Sequence, residues 1–140
     1  MEAFIPGLEI IYGHFTVHVQ KAPLASNNQQ WVEILKVEEK GSDVNLAATL
    51  VNDSWKNLFD CAVIISNDGD LAEAQRIVSQ EQHKQITLLT PPRFKKRRSK
   101  ALKKYASVSL TIKNTHLAES QLPDPIPGTN IHKPASWKST

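Results

Sequence analysis

The sequence predicts an α/β fold with a mainly parallel sheet and a β-hairpin near the N-terminus. Short apolar runs typical of strands alternate with stretches whose apolar residues recur at helical spacing. A strand, helix, strand, helix, strand order is the signature of a parallel sheet with right-handed crossovers. The chain has 140 residues, 40% of them hydrophobic and 22% charged, which are ordinary values for one globular domain.

The N-terminal part of the sequence predicts strands followed by a helix. Residues 8–15 form an apolar run after Pro6 and Gly7 and are predicted as the first strand. Residues 16–20 and 31–37 are β-prone, and the polar stretch 26–30 is predicted as a hairpin tip. Gly41 ends the strand, and Ser42 is predicted to cap a helix over residues 42–57. The apolar face of that helix would consist of Val44, Ala47, Ala48, Val51, Trp55 and Leu58.

The central part of the sequence predicts the parallel sheet. Residues 61–65 (CAVII) are continuously apolar, which indicates a strand buried on both faces. A helix is predicted over residues 71–82, with Leu71, Ala74, Ile77 and Val78 facing inward. Strands are predicted at 86–89 and 108–112, a short helix at 99–105 and a helical turn at 115–120.

Residues 1–120 are predicted as one domain and 121–140 as a proline-rich extended tail. The three tryptophans are predicted to be packing anchors, with Trp137 holding the tail against the body. No apolar run approaches the roughly 20 residues that cross a bilayer, and the N-terminus lacks the pattern of a secretory signal. Cys61 is the single cysteine, which fits a reducing compartment. We therefore expect a cytoplasmic protein with no membrane contact.

Basic residues are concentrated in one segment, residues 93–104, called here the basic segment. It holds eight of the 17 Lys and Arg residues and no acid, so the rest of the chain has nine basic and 14 acidic residues. This separation favours a polyanionic partner such as RNA, with Phe94 and Tyr105 available to stack on bases. The preceding Pro91 and Pro92 indicate a flexible basic arm. A solvated loop that enters a helix is the alternative explanation.

Three carboxylates are predicted at the carboxyl edge of the sheet, where loops and helix N-termini meet. Asp68 and Asp70 follow the apolar strand 61–65, and Asp43 lies at the start of the preceding helix. At about 5 Å and an effective dielectric near 20, each pair of charges costs roughly 3 kcal/mol, so a bound cation is expected to offset the repulsion. An all-oxygen site selects Mg²⁺ or Mn²⁺. Ordinary helix capping is the alternative role for Asp43 and Asp70.

Two motifs resemble the NYN branch of the PIN-like nuclease superfamily. They are residues 38–47 (EEKGSDVNLA) and 61–71 (CAVIISNDGDL), and residues 11–15 and 132–137 are also similar to it. The resemblance implies a Rossmann-like, three-layer PIN-type sandwich with a metal-dependent ribonuclease site. It implies that Asp43, Asp68 and Asp70 are catalytic and bind Mg²⁺ or Mn²⁺. The residues expected to contact RNA are Lys40, Ser66, Asn67, Arg93, Lys95, Lys96, Arg97, Arg98, Lys100, Lys103 and Lys104.

The sequence departs from the NYN pattern at its start. Members of that family begin with a central strand whose Asp is a metal ligand, and no such strand is found before the hairpin here. We therefore expect a weak or absent metal site and impaired hydrolysis. A sheet without its first strand exposes unpaired backbone groups and apolar faces, so we expect a homodimer or a larger assembly.

Two other functions remain open at this point. The same fold can serve as a non-catalytic RNA- or protein-binding module. Some NYN-like proteins are linked to hydroxylation of small aromatic compounds, although no Gly-rich loop here indicates a flavin or nicotinamide site. His14 and His18 would share one face of an extended strand, but without a Cys cluster or a second close His pair they do not predict a zinc site.

Overall fold

A computed structural model describes residues 7–94 and 96–137 of the chain. Within them, an antiparallel hairpin precedes a three-stranded parallel sheet of strand order β3-β4-β5. The predicted α/β class and hairpin are therefore confirmed. Lys95, one of the predicted RNA contacts, lies outside the described residues.

The elements follow one another in the predicted order. In chain order they are β1 (His14–Leu24), β2 (Asn27–Lys40), α1 (Ser42–Trp55), β3 (Cys61–Ile65), a 3₁₀ turn (Gly69–Leu71), α2 (Ala72–Arg76), a π turn (Ile77–Glu81), β4 (Gln85–Thr90), a 3₁₀ turn (Pro92–Phe94), α3 (Lys100–Tyr105), β5 (Val108–Thr111), α4 (Asn114–Glu119) and a 3₁₀ turn (Ala135–Trp137). The 3₁₀ turn before α2 and the π turn after it make one continuous helical stretch over the residues predicted as a helix.

The hairpin is longer than predicted. Residues 8–13 lie outside any strand, because an apolar run by itself supplies no partner for pairing. The turn lies at residues 25–26, and the polar residues predicted as its tip extend β2. The register shifts between Pro23 and Leu24, so that Pro23 pairs with Trp31 while Leu24 pairs with Asn27.

The base of the hairpin is joined tightly to the start of α1. Gly41 has a φ of 95°, a left-handed conformation that favours glycine. Gly13 lies so close to Glu39 and Ser42 that an added Cβ would be 2.0 Å and 2.5 Å from their side-chain oxygens. Ser42 is not the predicted side-chain cap. It donates its hydroxyl to Glu39 Oε1 at 2.6 Å, and its backbone N–H donates to the same oxygen at 3.2 Å.

One face of the sheet carries the core. The buried apolar residues that pack together are Leu50, Ile64, Leu71, Ala74, Val78, Ile86, Leu88 and Leu102. The predicted inner face of the second helix is confirmed by the buried residues Leu71, Ala74 and Val78. The face predicted for α1 is confirmed in part: Ala47 and Val51 pack against the core, but the buried residues are Leu50 and Ser54, and Val44 and Trp55 are exposed.

The other face of the sheet is open to solvent. Pairing of β3, β4 and β5 places Val63, Thr87 and Val108 in one row across this face. The next row towards the carboxyl edge is Ile65, Leu89 and Leu110. Within β3, Ile64 on the covered face is 5% exposed, whereas Val63 and Ile65 are 61% and 60% exposed. The prediction of a strand buried on both faces is therefore wrong, and the described residues do not confirm a third layer on this side.

Beyond β5, α4 is followed by residues in which Ile126 is buried. Trp137 is 69% exposed and does not hold the tail to the body, and Trp31 and Trp55 are exposed too, so the prediction of packing anchors is wrong. The division at residue 120 stays a prediction. In the part of the chain that the structure describes, no helix has both the length and the apolar character needed to cross a membrane.

Candidate functional site

A cleft of about 490 Å³ lies at the carboxyl edge of β3 and β4. Its walls come from Ile65 at the end of β3, the loop 66–69, Pro91 after β4, and Arg93 and Phe94 in the 3₁₀ turn. Strand ends and loops meet at this edge in parallel sheets, which is why ligands gather there. The position of the cleft agrees with the edge at which the sequence predicts a site.

The loop 66–69 is shaped by its own polar side chains. Ser66 Oγ accepts the backbone N–H of Asp68 at 3.1 Å, and Asp68 Oδ1 accepts the backbone N–H of Asp70 at 3.0 Å. Asp68 is thus the N-cap of the 3₁₀ turn Gly69–Leu71, and Asp70 lies in its first turn. Capping therefore occupies one carboxylate oxygen of Asp68.

Asn67 connects two distant parts of the chain. Its Nδ2 donates to the carbonyl oxygen of Arg97 at 3.0 Å, and its Oδ1 accepts the backbone N–H of Ser99 at 2.8 Å. Both ends of the amide are therefore used to hold the basic segment against the end of β3. The sequence placed Asn67 in the site loop, but nothing in it indicated these partners some 30 residues away.

The described residues of the basic segment make defined contacts with the rest of the fold, and its flexibility stays a prediction. Ser99 caps α3 by accepting the N–H of Leu102, which is fully buried. Arg98 donates to Ser109 Oγ at 2.7 Å, so this predicted RNA contact has a structural partner on β5. The exposed cations of the segment are Arg93, Lys96, Arg97, Lys100, Lys103 and Lys104.

Two of the exposed cations lie over aromatic rings. The Arg93 guanidinium is 4.5 Å from the centroid of the Phe94 ring, and Lys104 Nζ is 5.1 Å from that of Tyr105. Arg93 and Phe94 both face the cleft. Together with Ile65, Pro91 and the loop 66–69, they line the cleft with apolar and polar side chains and one cation. Such a cleft can bind a small planar molecule that carries an anionic group.

Lys40, also predicted to contact RNA, lies at the end of β2. Its Nζ is 3.1 Å from Glu38 Oε2, and Lys36 Nζ is 2.5 Å from Glu38 Oε1. Hydrogen bonds from Lys36 and Lys40 lower the pKa of Glu38 to about 2, and the bond from Lys36 is the larger cause. Lys40 is therefore part of an ion-pair network on the hairpin.

The predicted metal centre is not formed. Among residues 7–94 and 96–137, no group of three His, Cys, Asp or Glu side chains is arranged to hold a metal ion. Asp43, Asp68 and Asp70 thus do not converge as a cation site, and all three are exposed. Their charges stay in water, where repulsion is weak and no cation is needed to offset it.

The chain is similar to one curated protein, 6-hydroxy-3-succinoylpyridine 3-monooxygenase HspA of Pseudomonas putida (strain DSM 28022 / S16). The two are 33% identical over 141 aligned positions, and the alignment covers 93% of this chain and 45% of the relative. The chain therefore spans a little under half the length of that protein. No family model matches the chain. No solved structure matches it either.

The similarity corrects the function predicted from sequence. A monooxygenase is an oxidoreductase, which is a different class of enzyme from a ribonuclease or any other hydrolase. The prediction of a ribonuclease dependent on Mg²⁺ or Mn²⁺ is therefore wrong, and so is the metal cofactor predicted with it. RNA contact and self-association are separate expectations that neither finding addresses, and they stay predictions.

Proposed function

We propose that this chain provides the substrate-binding cleft of a monooxygenase-type protein that acts on small heteroaromatic acids. The observation that carries the proposal is the cleft at the carboxyl edge of β3 and β4, where Arg93 and Phe94 lie together beside the polar loop 66–69. The similarity to a protein named for oxidation of a substituted pyridine indicates the class of ligand.

Each chemical group of such a ligand has a suitable side chain in the cleft. A succinoylpyridine has a planar ring and a side chain that ends in a carboxylate. A planar guanidinium can bind a carboxylate through two parallel hydrogen bonds, which is the role proposed for Arg93. Phe94 and Pro91 offer flat apolar surfaces for the ring. Asp68 keeps one carboxylate oxygen beyond its capping bond that can accept a hydrogen bond from a ring hydroxyl.

The residues described here bind and orient the substrate in this proposal. Monooxygenation adds one atom of O₂ to the substrate and reduces the other to water, which requires two electrons from a redox cofactor. The cleft contributes positioning. It holds the acid at Arg93, so that the ring lies against Phe94 in one orientation.

Calorimetric titration of the chain with 6-hydroxy-3-succinoylpyridine tests the proposal. Arg93→Ala is expected to weaken binding about tenfold, because a charged hydrogen bond is lost at a partly solvated site. The affinity of Arg93→Lys should lie between those of the unmodified chain and Arg93→Ala, since lysine keeps the charge and lacks the planar guanidinium. The matched control is Arg97→Ala, which removes the same kind of side chain from the same segment outside the cleft and should leave affinity unchanged.

A second ligand separates recognition of the acid from recognition of the ring. 2-Hydroxypyridine has the ring and the hydroxyl without the acid, so it should bind more weakly and be insensitive to Arg93→Ala. Absence of binding by 6-hydroxy-3-succinoylpyridine would sink the proposal. Equal weakening by Arg93→Ala and Arg97→Ala would do the same, because it would show only general charge attraction.

The finer fold assignment is also a proposal: the parallel sheet is that of a PIN-type domain. Its support is the parallel order β3-β4-β5, the helices packed on one face and the polar loop 66–69 at the carboxyl edge of β3. The assignment concerns architecture, since one fold carries many activities. An experimental structure with three parallel strands in another order would overturn it.

RNA binding by the basic segment is a second candidate function. The observation that favours it is the set of exposed cations among the described residues of the basic segment, which include Lys100, Lys103 and Lys104 on α3. Lys and Arg contacts to phosphates give affinity without reading sequence. Arg98 takes no part in this candidate, because it is bound to Ser109.

A further inference from the structure

The hairpin has one apolar face that the described residues do not cover. Cross-strand partners point to the same side of a β-ribbon, and the register pairs Val17 with Val37, Val19 with Leu35, and Pro23 with Trp31. Phe15 lies on this side as well. On the opposite side, the base of the hairpin carries the polar residues Thr16 and His18, and Val32 and Ile34 lie nearer the turn.

This apolar face is exposed along its length. Phe15 and Leu35 are 73% and 69% exposed, and the valines between them are exposed to a similar extent. A two-stranded hairpin in water is marginally stable without a surface against which to pack. The hairpin therefore requires an apolar surface that its own chain does not supply in this conformation.

The open face of the parallel sheet is a surface of this kind. It presents Val63 and Ile65 on β3 and Val108 and Leu110 on β5, on the side opposite the face that carries the core. β3 has five residues and spans about 16 Å, the same length as residues 15–19 of the hairpin. Residues 15–19 of the hairpin thus match β3 in length and in apolar character.

We propose that the two surfaces are a self-association interface, in which the hairpin of each copy of this chain lies on the open sheet face of a second copy. The contact is reciprocal and therefore closes as a two-fold dimer. Each copy covers both of its exposed apolar faces in a single step. The arrangement is that of two sheets packed face to face about 10 Å apart.

The size of the surfaces fits a stable dimer. Ten apolar side chains on the two faces are between 47% and 73% exposed. Covering such side chains removes on the order of 50–100 Å² each, or roughly 500–1,000 Å² per chain, and a standard interface buries about 800 Å² per partner. One hairpin-on-sheet contact would supply only part of this area, so the area favours a dimer in which both contacts form.

Analytical ultracentrifugation of the whole chain at micromolar concentrations tests the proposal. The chain should be a dimer, and Val17→Lys on the hairpin or Val63→Lys on the sheet should each raise the dissociation constant at least tenfold. Gln20→Lys is the matched control, because it adds the same charge to the opposite side of β1 and should change the constant less than twofold. Circular dichroism checks that each variant is folded, and Val108→Lys replaces Val63→Lys if the latter is not.

Mixing the two variants distinguishes the exchange from other dimers. A Val17→Lys chain mixed with a Val63→Lys chain retains one intact hairpin-on-sheet contact, so dimers should reappear on mixing. Dimers built from hairpin on hairpin, or from sheet on sheet, would not be restored in this way. A monomer at every concentration, or mixing without restoration, would overturn the proposal.

Discussion

At the scale of single residues, the site loop shows why residue type alone does not reveal a role. Asp68 and Ser66 form capping bonds within the loop, whereas Asn67 reaches residues some 30 positions away. An Asp after a buried strand predicts a cap and a metal ligand equally well. The difference depends on which other carboxylates lie within a few ångströms, and here none combine into a metal site among the described residues.

Asn67 is expected to be important for stability. Asn67→Ala removes both hydrogen bonds to the basic segment and leaves the N–H of Ser99 and the carbonyl of Arg97 without this partner. We expect a loss of about 1–3 kcal/mol in the free energy of unfolding, because each such bond is worth about 1 kcal/mol. Urea denaturation followed by circular dichroism measures it.

Asn28→Ala, at an exposed position of the hairpin, is the matched control and should change stability by less than about 0.5 kcal/mol. Equal stability of Asn67→Ala and the unmodified chain would show that the basic segment does not depend on this connection.

At the scale of elements, the length and type of most helices and strands follow from the sequence, whereas the side that each element buries does not. β3 has the predicted bounds, residues 61–65, yet only Ile64 on its covered side is buried. In α1, several faces carry apolar residues, and packing selects the one with Leu50 and Ser54. Periodicity identifies an element, and its partners determine its buried face.

The hairpin carries an ion-pair network whose pH dependence can be measured. Because Lys36 and Lys40 lower the pKa of Glu38 to about 2, this carboxylate stays ionised well below its ordinary value of 4.5. Its favourable contribution is fully present above about pH 4.5 and is lost as the pH falls through about 2. A carbon-detected NMR titration of the Glu38 carboxyl should find its midpoint at about pH 2.

Lys36→Ala should raise that midpoint towards 4.5, since Lys36 is the largest cause of the shift. Lys21→Ala, which removes a lysine from the opposite side of the same hairpin, should leave it in place. A midpoint near 4.5 in the unmodified chain would contradict the ion-pair network.

At the scale of the whole molecule, charge is divided between a mildly acidic body and the basic segment. The RNA-binding candidate depends on this division. Lys100→Glu with Lys103→Glu should weaken binding to single-stranded RNA and reduce the slope of log affinity against log salt concentration by roughly 1.4, because each of the two lost phosphate contacts contributes about 0.7. Fluorescence anisotropy at several salt concentrations measures both quantities.

Lys21→Glu with Lys56→Glu changes the net charge by the same amount outside the basic segment and is the control. If both pairs of substitutions have the same effect, attraction is general and the basic segment is not an RNA site.

The sequence by itself determined the α/β class, the hairpin, the order of strands and helices and the edge of the sheet at which a cleft lies. These features depend on local patterns, namely apolar periodicity, glycine positions and strand-to-helix turns. Tertiary structure alone decided that Asp43, Asp68 and Asp70 form no metal site among the described residues, that Asn67 and Arg98 fix the basic segment, and that one sheet face is open. These features depend on contacts between residues distant in the chain, and the energies of such contacts depend on distances that no local pattern encodes.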